Sequence, residues 1–398
     1  MSLSETVSSE RVHIAFLGCR NAGKSSLVNA VTGQRLAVVS DVPGTTTDPV
    51  KKAMELLPLG PVMIIDTPGF DDVGELGLLR VEKTNEVLGR TDVAVLVVDA
   101  QKGITAPDRE LIKLIKGKKL PLIIAWNKCD MAEISERPAN ALAVSALTGE
   151  GVNELKERIA ALGKREEKLI LCDFLPENAT VVLVIPIDVS APKGRLILPQ
   201  QLVLRELLDH NCTALCCQPS ELSKTLSMLK NPPDLVVTDS QAFGQVAKTV
   251  DESVPLTSFS ILMARLRGEL LSQIEGARVL KELRDGDRVL ISEGCTHHRQ
   301  CADIGTVKLP GWIEAYSGAK PEFSFTSGGE FPMEFPGIKL IVHCGGCMLP
   351  PSEMHTRAER AASSGVPMVN YGVAIAAMHG ILQRSLEPIP EAKTRFKC

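Results

Sequence analysis

The chain lacks a strong charge of either sign: 44 Lys and Arg stand against 48 Asp and Glu, a formal net charge of -4. No overall positive field draws it to nucleic acid or anionic lipid, and only a local basic patch could do so. It also lacks a low-complexity tract long enough to keep much of the chain from burying apolar surface, which excludes intrinsic disorder as the main state. No apolar run approaches the roughly 20 residues needed to span a bilayer. The opening stretch MSLSETVSSE has neither the basic nor the apolar region of a signal peptide. A cytoplasmic protein with no membrane and no nucleic-acid partner is the expectation. What is present is a length of 398 residues, 44% of them hydrophobic, enough for two to four domains at roughly 100 to 200 residues each. Eleven cysteines, an odd number without an export signal, argue against a disulfide framework and leave inert, reactive or metal-bound thiols.

From Val12 the sequence alternates short β-branched runs (Val12 to Leu17, Val62 to Ile65, Val93 to Val98, Leu122 to Ala125, Ala141 to Val144) with helical stretches. This is the pattern of a parallel sheet wrapped by helices. It closes with Asn153 to Leu162 and the charged string Lys164 to Lys168, which reads as a linker. Two further α/β blocks follow. The fold expected is therefore α/β, a first domain over residues 1-164 followed by two smaller α/β domains with mainly parallel sheets, over 165-262 and 263-398. A Gly-, Pro- and Phe-rich stretch from Thr306 to Gly337 is expected as a long ordered loop.

The octad Gly18-Cys19-Arg20-Asn21-Ala22-Gly23-Lys24-Ser25 follows an apolar strand and precedes a helical stretch beginning at Ser26, the context a P-loop needs. Its backbone amides can cradle phosphates, Lys24 can meet the β- and γ-phosphates, and the Ser25 hydroxyl can bind magnesium. Asp66-Thr67-Pro68-Gly69 ends a later strand, where Asp66 can hold the magnesium shell and the Gly69 amide can sense a γ-phosphate. Asn127-Lys128-Cys129-Asp130 ends another; the Asp130 carboxylate suits the paired N–H donors of guanine. Ser145-Ala146 ends the next and can offer an amide to the guanine oxygen. Four elements in this order predict GTP and GDP as ligands.

These motifs resemble the Era and MnmE type of P-loop GTPase. The resemblance implies that Pro43 to Asp48 form the first switch, that Thr46 binds magnesium, and that Asn21 helps bind potassium beside the phosphates. Phe70 stands where Ras-like enzymes carry a water-positioning glutamine. Slow hydrolysis, assisted by potassium or by a partner's group, is expected.

Further on, Cys295-Thr296-His297 and His343-Cys344-Gly345-Gly346-Cys347 each follow an expected strand, the end of an open α/β sheet where ligands gather. If the two strands are neighbours, three thiolates converge. Packing cysteines, a structural zinc and an iron-sulfur cluster are the competing readings. The pair of motifs resembles the signature of the HydF family, the [FeFe]-hydrogenase H-cluster maturation GTPases, and the order of domains agrees. That resemblance implies a 4Fe-4S cluster on Cys295, Cys344 and Cys347, with His297 or His343 as candidates for the fourth ligand; Ala302 and Asp303 stand where some members carry an acidic ligand. It further implies a homodimeric scaffold that receives a diiron precursor made with radical-SAM maturases and delivers it to apo-[FeFe]-hydrogenase. The alternative is an RNA-directed Era/MnmE-type GTPase with a zinc-stabilised C-terminal domain. Against it stand the slight acidity and the lack of a Gly-x-x-Gly clamp in a KH context. A redox enzyme, the third class, would prefer four fixed cysteines.

Overall fold

A computed structural model describes residues 11–33, 50–57, 59–69, 83–131, 137–164, 168–187, 196–294, 304–346 and 349–393. The chain divides into two compact units, Met1–Glu166 with Met348–Thr356, and Glu167–Cys347 with Arg357–Cys398.

The first unit is built on a six-stranded sheet of order β2-β3-β1-β4-β5-β6. Its strands are β1 (Val12–Leu17), β2 (Val50–Leu56), β3 (Gly60–Asp66), β4 (Val93–Asp99), β5 (Leu122–Asn127) and β6 (Ala141–Val144). Ile14 and Phe16 face one apolar cluster, while Ala15 and Leu17 face another. Burial on both faces is why β1 and β4 read as near-continuous apolar runs, broken in β1 only by His13, rather than as an alternation. All pairings are parallel except β2 with β3. Strand β2 was not expected from the sequence: it is an edge strand whose Lys51, Lys52 and Glu55 are exposed, so it carries no burial pattern to read, and charge at an edge discourages pairing with another chain. The helix Ala106–Gly117 begins with a reciprocal cap in which Thr105 and Asp108 satisfy each other's backbone N–H.

The second unit contains two four-stranded sheets, β10-β9-β7-β8 and β12-β11-β13-β14. The first is made of β7 (Thr180–Val184), β8 (Thr213–Cys217), β9 (Leu235–Thr238) and β10 (Leu256–Ser258). The second is made of β11 (Arg288–Glu293), β12 (Glu322–Ser327), β13 (Ile338–His343) and β14 (Met368–Asn370). Every pairing is parallel. Both follow one winding plan: the first strand lies inside, the second on one flank, and the third and fourth on the other. The direction of winding thus reverses between β7 and β9 and again between β11 and β13, and such reversals open crevices at the carboxyl ends of strands. Val182, Val184 and Val236 of one sheet share an apolar cluster with Val289, Ile291 and Val342 of the other.

One local expectation is corrected. The stretch from Thr306 to Gly337 is not a long loop, because it holds the helix Leu309–Ser317 and strand β12. Pro310 sits in the helix's first turn, where its missing N–H costs nothing, and Gly318 ends it at φ 71°. Proline and glycine that look like loop punctuation are here the two ends of a helix. The second unit also holds the helices Phe259–Leu266 and Leu270–Val279, parted near Gly268 at φ 76°. The second of these crosses β14 closely: a Cβ on Gly276 would stand 2.3 Å from the Met368 carbonyl oxygen.

Candidate functional site: a phosphate loop and a cysteine turn

The loop after β1 is shaped by contacts that only glycine permits. Gly18 has φ 141°, and a Cβ there would lie 2.3 Å from the Val97 carbonyl oxygen; at Gly23, φ 90°, it would lie 2.3 Å from the Asn127 side-chain nitrogen. Asn21 also adopts positive φ, at 61°, a conformation asparagine tolerates better than most residues. The helix Lys24–Thr32 starts directly from this loop, so its free amides face the space above Gly18 to Gly23. Lys24 is buried and its Nζ donates to the carbonyls of Gly18 and Cys19 at 3.1 and 2.8 Å.

The magnesium corner lies between the loop and β3. Ser25 Oγ donates to Asp66 Oδ2 at 2.7 Å, while the buried Asp66 Oδ1 has no hydrogen-bond partner among the described residues. Burial pushes the Asp66 carboxyl above the ordinary carboxylate range, and the Ser25 hydrogen bond and the Lys24 charge oppose that rise. A buried carboxylate oxygen without a protein partner, beside a hydroxyl, is a donor set that suits a hard divalent cation. Gly69 presses on the phosphate loop, since a Cβ there would meet the Arg20 nitrogen at 2.9 Å.

Asn127, 1% exposed, joins three motifs. Its Nδ2 donates to the Ala22 carbonyl at 2.9 Å and its Oδ1 accepts from the Ala146 amide at 3.1 Å. The neighbouring Lys128, at φ 66°, pairs with Asp99 at 2.6 Å, and Asp130 is exposed beyond them. Ser145 Oγ accepts from the amides of Leu147 and Thr148, which holds the last loop. Two supports escaped the sequence reading. Asp99 at the end of β4 locks Lys128, and the Cys19 thiol donates to the capping residue Asp108 at 3.2 Å. A carboxylate closing a buried strand was the available signal for Asp99; Cys19 offered none. Thr46, Phe70 and the first-switch residues lie outside the described residues.

In the second unit β11 and β13 are neighbours, with Ser292 opposite His343, so the strand ends that precede the two cysteine motifs lie side by side at the winding reversal. Cys344 Sγ accepts hydrogen bonds from the amides of Gly294, at 3.0 Å, and Gly346, at 3.4 Å. Gly294 immediately precedes Cys295, and Gly346, at φ 59°, immediately precedes Cys347. Backbone amides on sulfur stabilise thiolate and are the usual surroundings of an iron-sulfur ligand. Among the described residues no group of three or more His, Cys, Asp or Glu is arranged to hold a metal ion; Cys295, His297, Ala302, Asp303 and Cys347 lie outside them.

The structure places His343 differently from the expectation of a candidate iron ligand. It is fully buried, with Nδ1 2.6 Å from the Cys344 carbonyl and Nε2 3.0 Å from Arg357 Nη1. A guanidinium can only donate, so Nε2 accepts and Nδ1 carries the proton toward Cys344. Burial, reinforced by the charges of Arg357 and Arg267, brings its pKa down to about 3 against the opposing Cys344 hydrogen bond, and the ring is neutral. Both ring nitrogens are thus engaged within the protein. Arg357, 1% exposed, also donates to the Gly328 carbonyl at 2.6 Å and lies 4.9 Å above the Phe331 ring.

The phosphate loop, the Ser25–Asp66 corner and the Asn127 junction on this sheet define a P-loop GTPase. Residues 13–128 match the family model described as a 50S ribosome-binding GTPase. Residues 170–268 match the hydrogen maturase F dimerization domain and residues 271–388 its tetramerization domain. The chain belongs to the hydrogen maturase F family, HydF.

Further likenesses are to other GTPases. The tRNA modification GTPase MnmE of Synechococcus sp. (strain JA-2-3B'a(2-13)) is 39% identical over 160 residues, 38% of this chain and 34% of that protein. GTPase Der of Nautilia profundicola is 34% identical over 208 residues, 46% of this chain and 44% of that protein. The chain therefore spans about a third to under half of these curated relatives. The G domain of the T. maritima FeoB iron transporter, 26% identical, aligns with a TM-score of 0.30 over 39% of this chain and 99% of that one. No helix among the described residues is long and apolar enough to cross a membrane.

Proposed function

We propose that this GTPase is a scaffold that binds a 4Fe-4S cluster through Cys295, Cys344 and Cys347 and delivers a diiron precursor, made with radical-SAM maturases, to apo-[FeFe]-hydrogenase. The observation that carries the reading is the cysteine turn at the β11/β13 reversal, where two amides point at the sulfur of Cys344. A cluster held by three thiolates would supply one iron with a position open to exchange. Around it the chain's own residues do the shaping: His343 fixes the Cys344 carbonyl, and Gly345 and Gly346 allow the tight turn between the thiols. His297 is the remaining histidine candidate for the fourth ligand. Three domains, over 1-164, 165-262 and 263-398, carry GTP binding, dimerisation and the cluster; the family descriptions add assembly beyond the dimer to the last.

At the nucleotide end, Lys24 and the amides of Asn21 to Ser26 would hold the phosphates, Ser25, Thr46 and Asp66 the magnesium, Gly69 the γ-phosphate, and Asp130 with Ala146 the guanine. Asn21 would share a potassium ion, which offsets charge at the phosphoryl group where Phe70 cannot orient water. Hydrolysis is then slow and serves as a timing step, with the loops of residues 41–48 and 66–72 as the elements that GTP orders. The test is transfer. Protein purified anaerobically from cells that also make the radical-SAM maturases should confer hydrogen evolution on apo-[FeFe]-hydrogenase, and protein made without them should not. Absence of activation by the loaded protein, with the apoenzyme shown competent, would sink the proposal.

A further inference from the structure

The segment between the two sheets of the second unit ends the helix Phe259–Leu266 at Arg267. This side chain reaches the cysteine turn from outside the sheet that carries it. Its Nη1 donates to the Gly345 carbonyl and its Nη2 to the Gly346 carbonyl, the latter at 2.9 Å. Gly345 and Gly346 are the two residues between Cys344 and Cys347. Two parallel donors of a rigid, planar fork on two successive carbonyls fix the orientation of both peptide groups, which lysine's single point of charge cannot do. One of those residues, Gly346, also turns its amide to the Cys344 sulfur. The guanidinium and the thiolate therefore hold opposite ends of the same short turn.

The second anchor is independent. Arg357 holds His343 Nε2, which leaves Nδ1–H on the Cys344 carbonyl. The turn is thus pinned at the Cys344 carbonyl by one arginine acting through histidine, and at the next two carbonyls by another acting directly. Arg357 is committed to histidine, to the Gly328 carbonyl and to the Phe331 face. Arg267 bonds directly to the peptide groups that follow Cys344.

We infer that Arg267 is a positioning residue for the iron site, which orders the Cys344 to Cys347 turn and sets the electrostatic potential at the cluster. The inference rests on the cluster reading above. A fixed positive charge within the hydrogen-bonded shell of the ligands favours the more negative, reduced state of a cluster, and so raises its reduction potential. It falls within the part of the chain matched as the dimerization domain, residues 170–268, whereas the turn it grips belongs to the part matched as the tetramerization domain. Arg267 thus stands at the end of one matched stretch and grips a turn in the next.

Full-length wild type, Arg267→Lys and Arg267→Gln are reconstituted anaerobically with iron and sulfide, analysed for both elements, and titrated electrochemically with electron paramagnetic resonance as the readout. Arg267→Gln is expected to shift the reduction equilibrium toward the oxidised cluster by at least tenfold, about 59 mV for a one-electron couple. Arg267→Lys is expected to keep much of the potential and to show an altered, broadened resonance, because it retains the charge and loses the fork. Folded Arg267→Gln that holds no iron while Arg267→Lys holds it supports the positioning role equally. If Arg267→Gln does not fold, the broadened resonance of Arg267→Lys decides. Wild-type potential and resonance in both variants, or in Arg267→Lys alone where the other fails to fold, overturn the inference. A wild type that binds no iron overturns the cluster reading itself, and the two failures are thereby told apart.

Discussion

The amide of Gly294 donates to the sulfur of Cys344 at 3.0 Å. This contact joins the end of β11 to the end of β13, the two strands from which the halves of the cysteine signature, far apart in sequence, continue. Replacing that sulfur by oxygen keeps the shape nearly unchanged and removes the soft ligand an iron site needs. Cys344→Ser is expected to lose most of the bound iron while its GTP turnover stays within about twofold of wild type. Iron and sulfide content beside a phosphate-release assay checks both halves; iron retained at the wild-type level would exclude Cys344 as a ligand.

Asn127 is the residue on which the nucleotide end depends most for its shape. Asn127→Ala strips partners from the Ala22 carbonyl and the Ala146 amide at once, and a buried polar group left unpaired costs about 1–3 kcal/mol. A loss of stability in that range by urea titration is expected, together with GDP affinity weakened by tenfold or more. Unchanged affinity in a calorimetric titration would show that the junction does not shape the site.

Hydrolysis is expected to run faster in potassium than in sodium at equal ionic strength, and Asn21→Ala should remove that difference while nucleotide affinity changes little. Phosphate release in the two salts is the measurement. Equal rates in the wild type would take the cation role from Asn21.

Gly276→Ala tests the packing of the helix Leu270–Val279 on β14. The added methyl would lie 2.3 Å from the Met368 carbonyl oxygen, and backbone on backbone leaves no flexible side chain to yield. An overpacking cost of about 1–3 kcal/mol is expected. Denaturant unfolding that matches wild type would mean that the helix can move off the sheet freely.

The GTPase motifs were legible because each is short, contiguous and set at the end of an apolar strand, so the eight residues from Gly18 to Ser25 carry their own structural context. The cysteine motifs were legible only conditionally. Whether they can meet depends on β11 lying beside β13, a fact of sheet order that spacing does not contain. Contacts made from a distance were not legible at all: Arg267 and Arg357 look like surface charges in the sequence, and it is the fold that brings one to Gly345 and Gly346 and the other to His343. The same burial removed His343 from consideration as a free ligand, since Arg357 already occupies its second nitrogen. Strand β12 and the helix before it were hidden because their Gly and Pro mark helix ends, which a composition reading cannot tell from loop.

The central claim is a resident iron-sulfur cluster in a GTP-hydrolysing scaffold, and metal and sulfide analysis of the full chain purified without oxygen tests it most directly. The account predicts about four iron and four acid-labile sulfide per chain, with both lost in Cys344→Ser. Stoichiometric zinc with neither iron nor sulfide would contradict it.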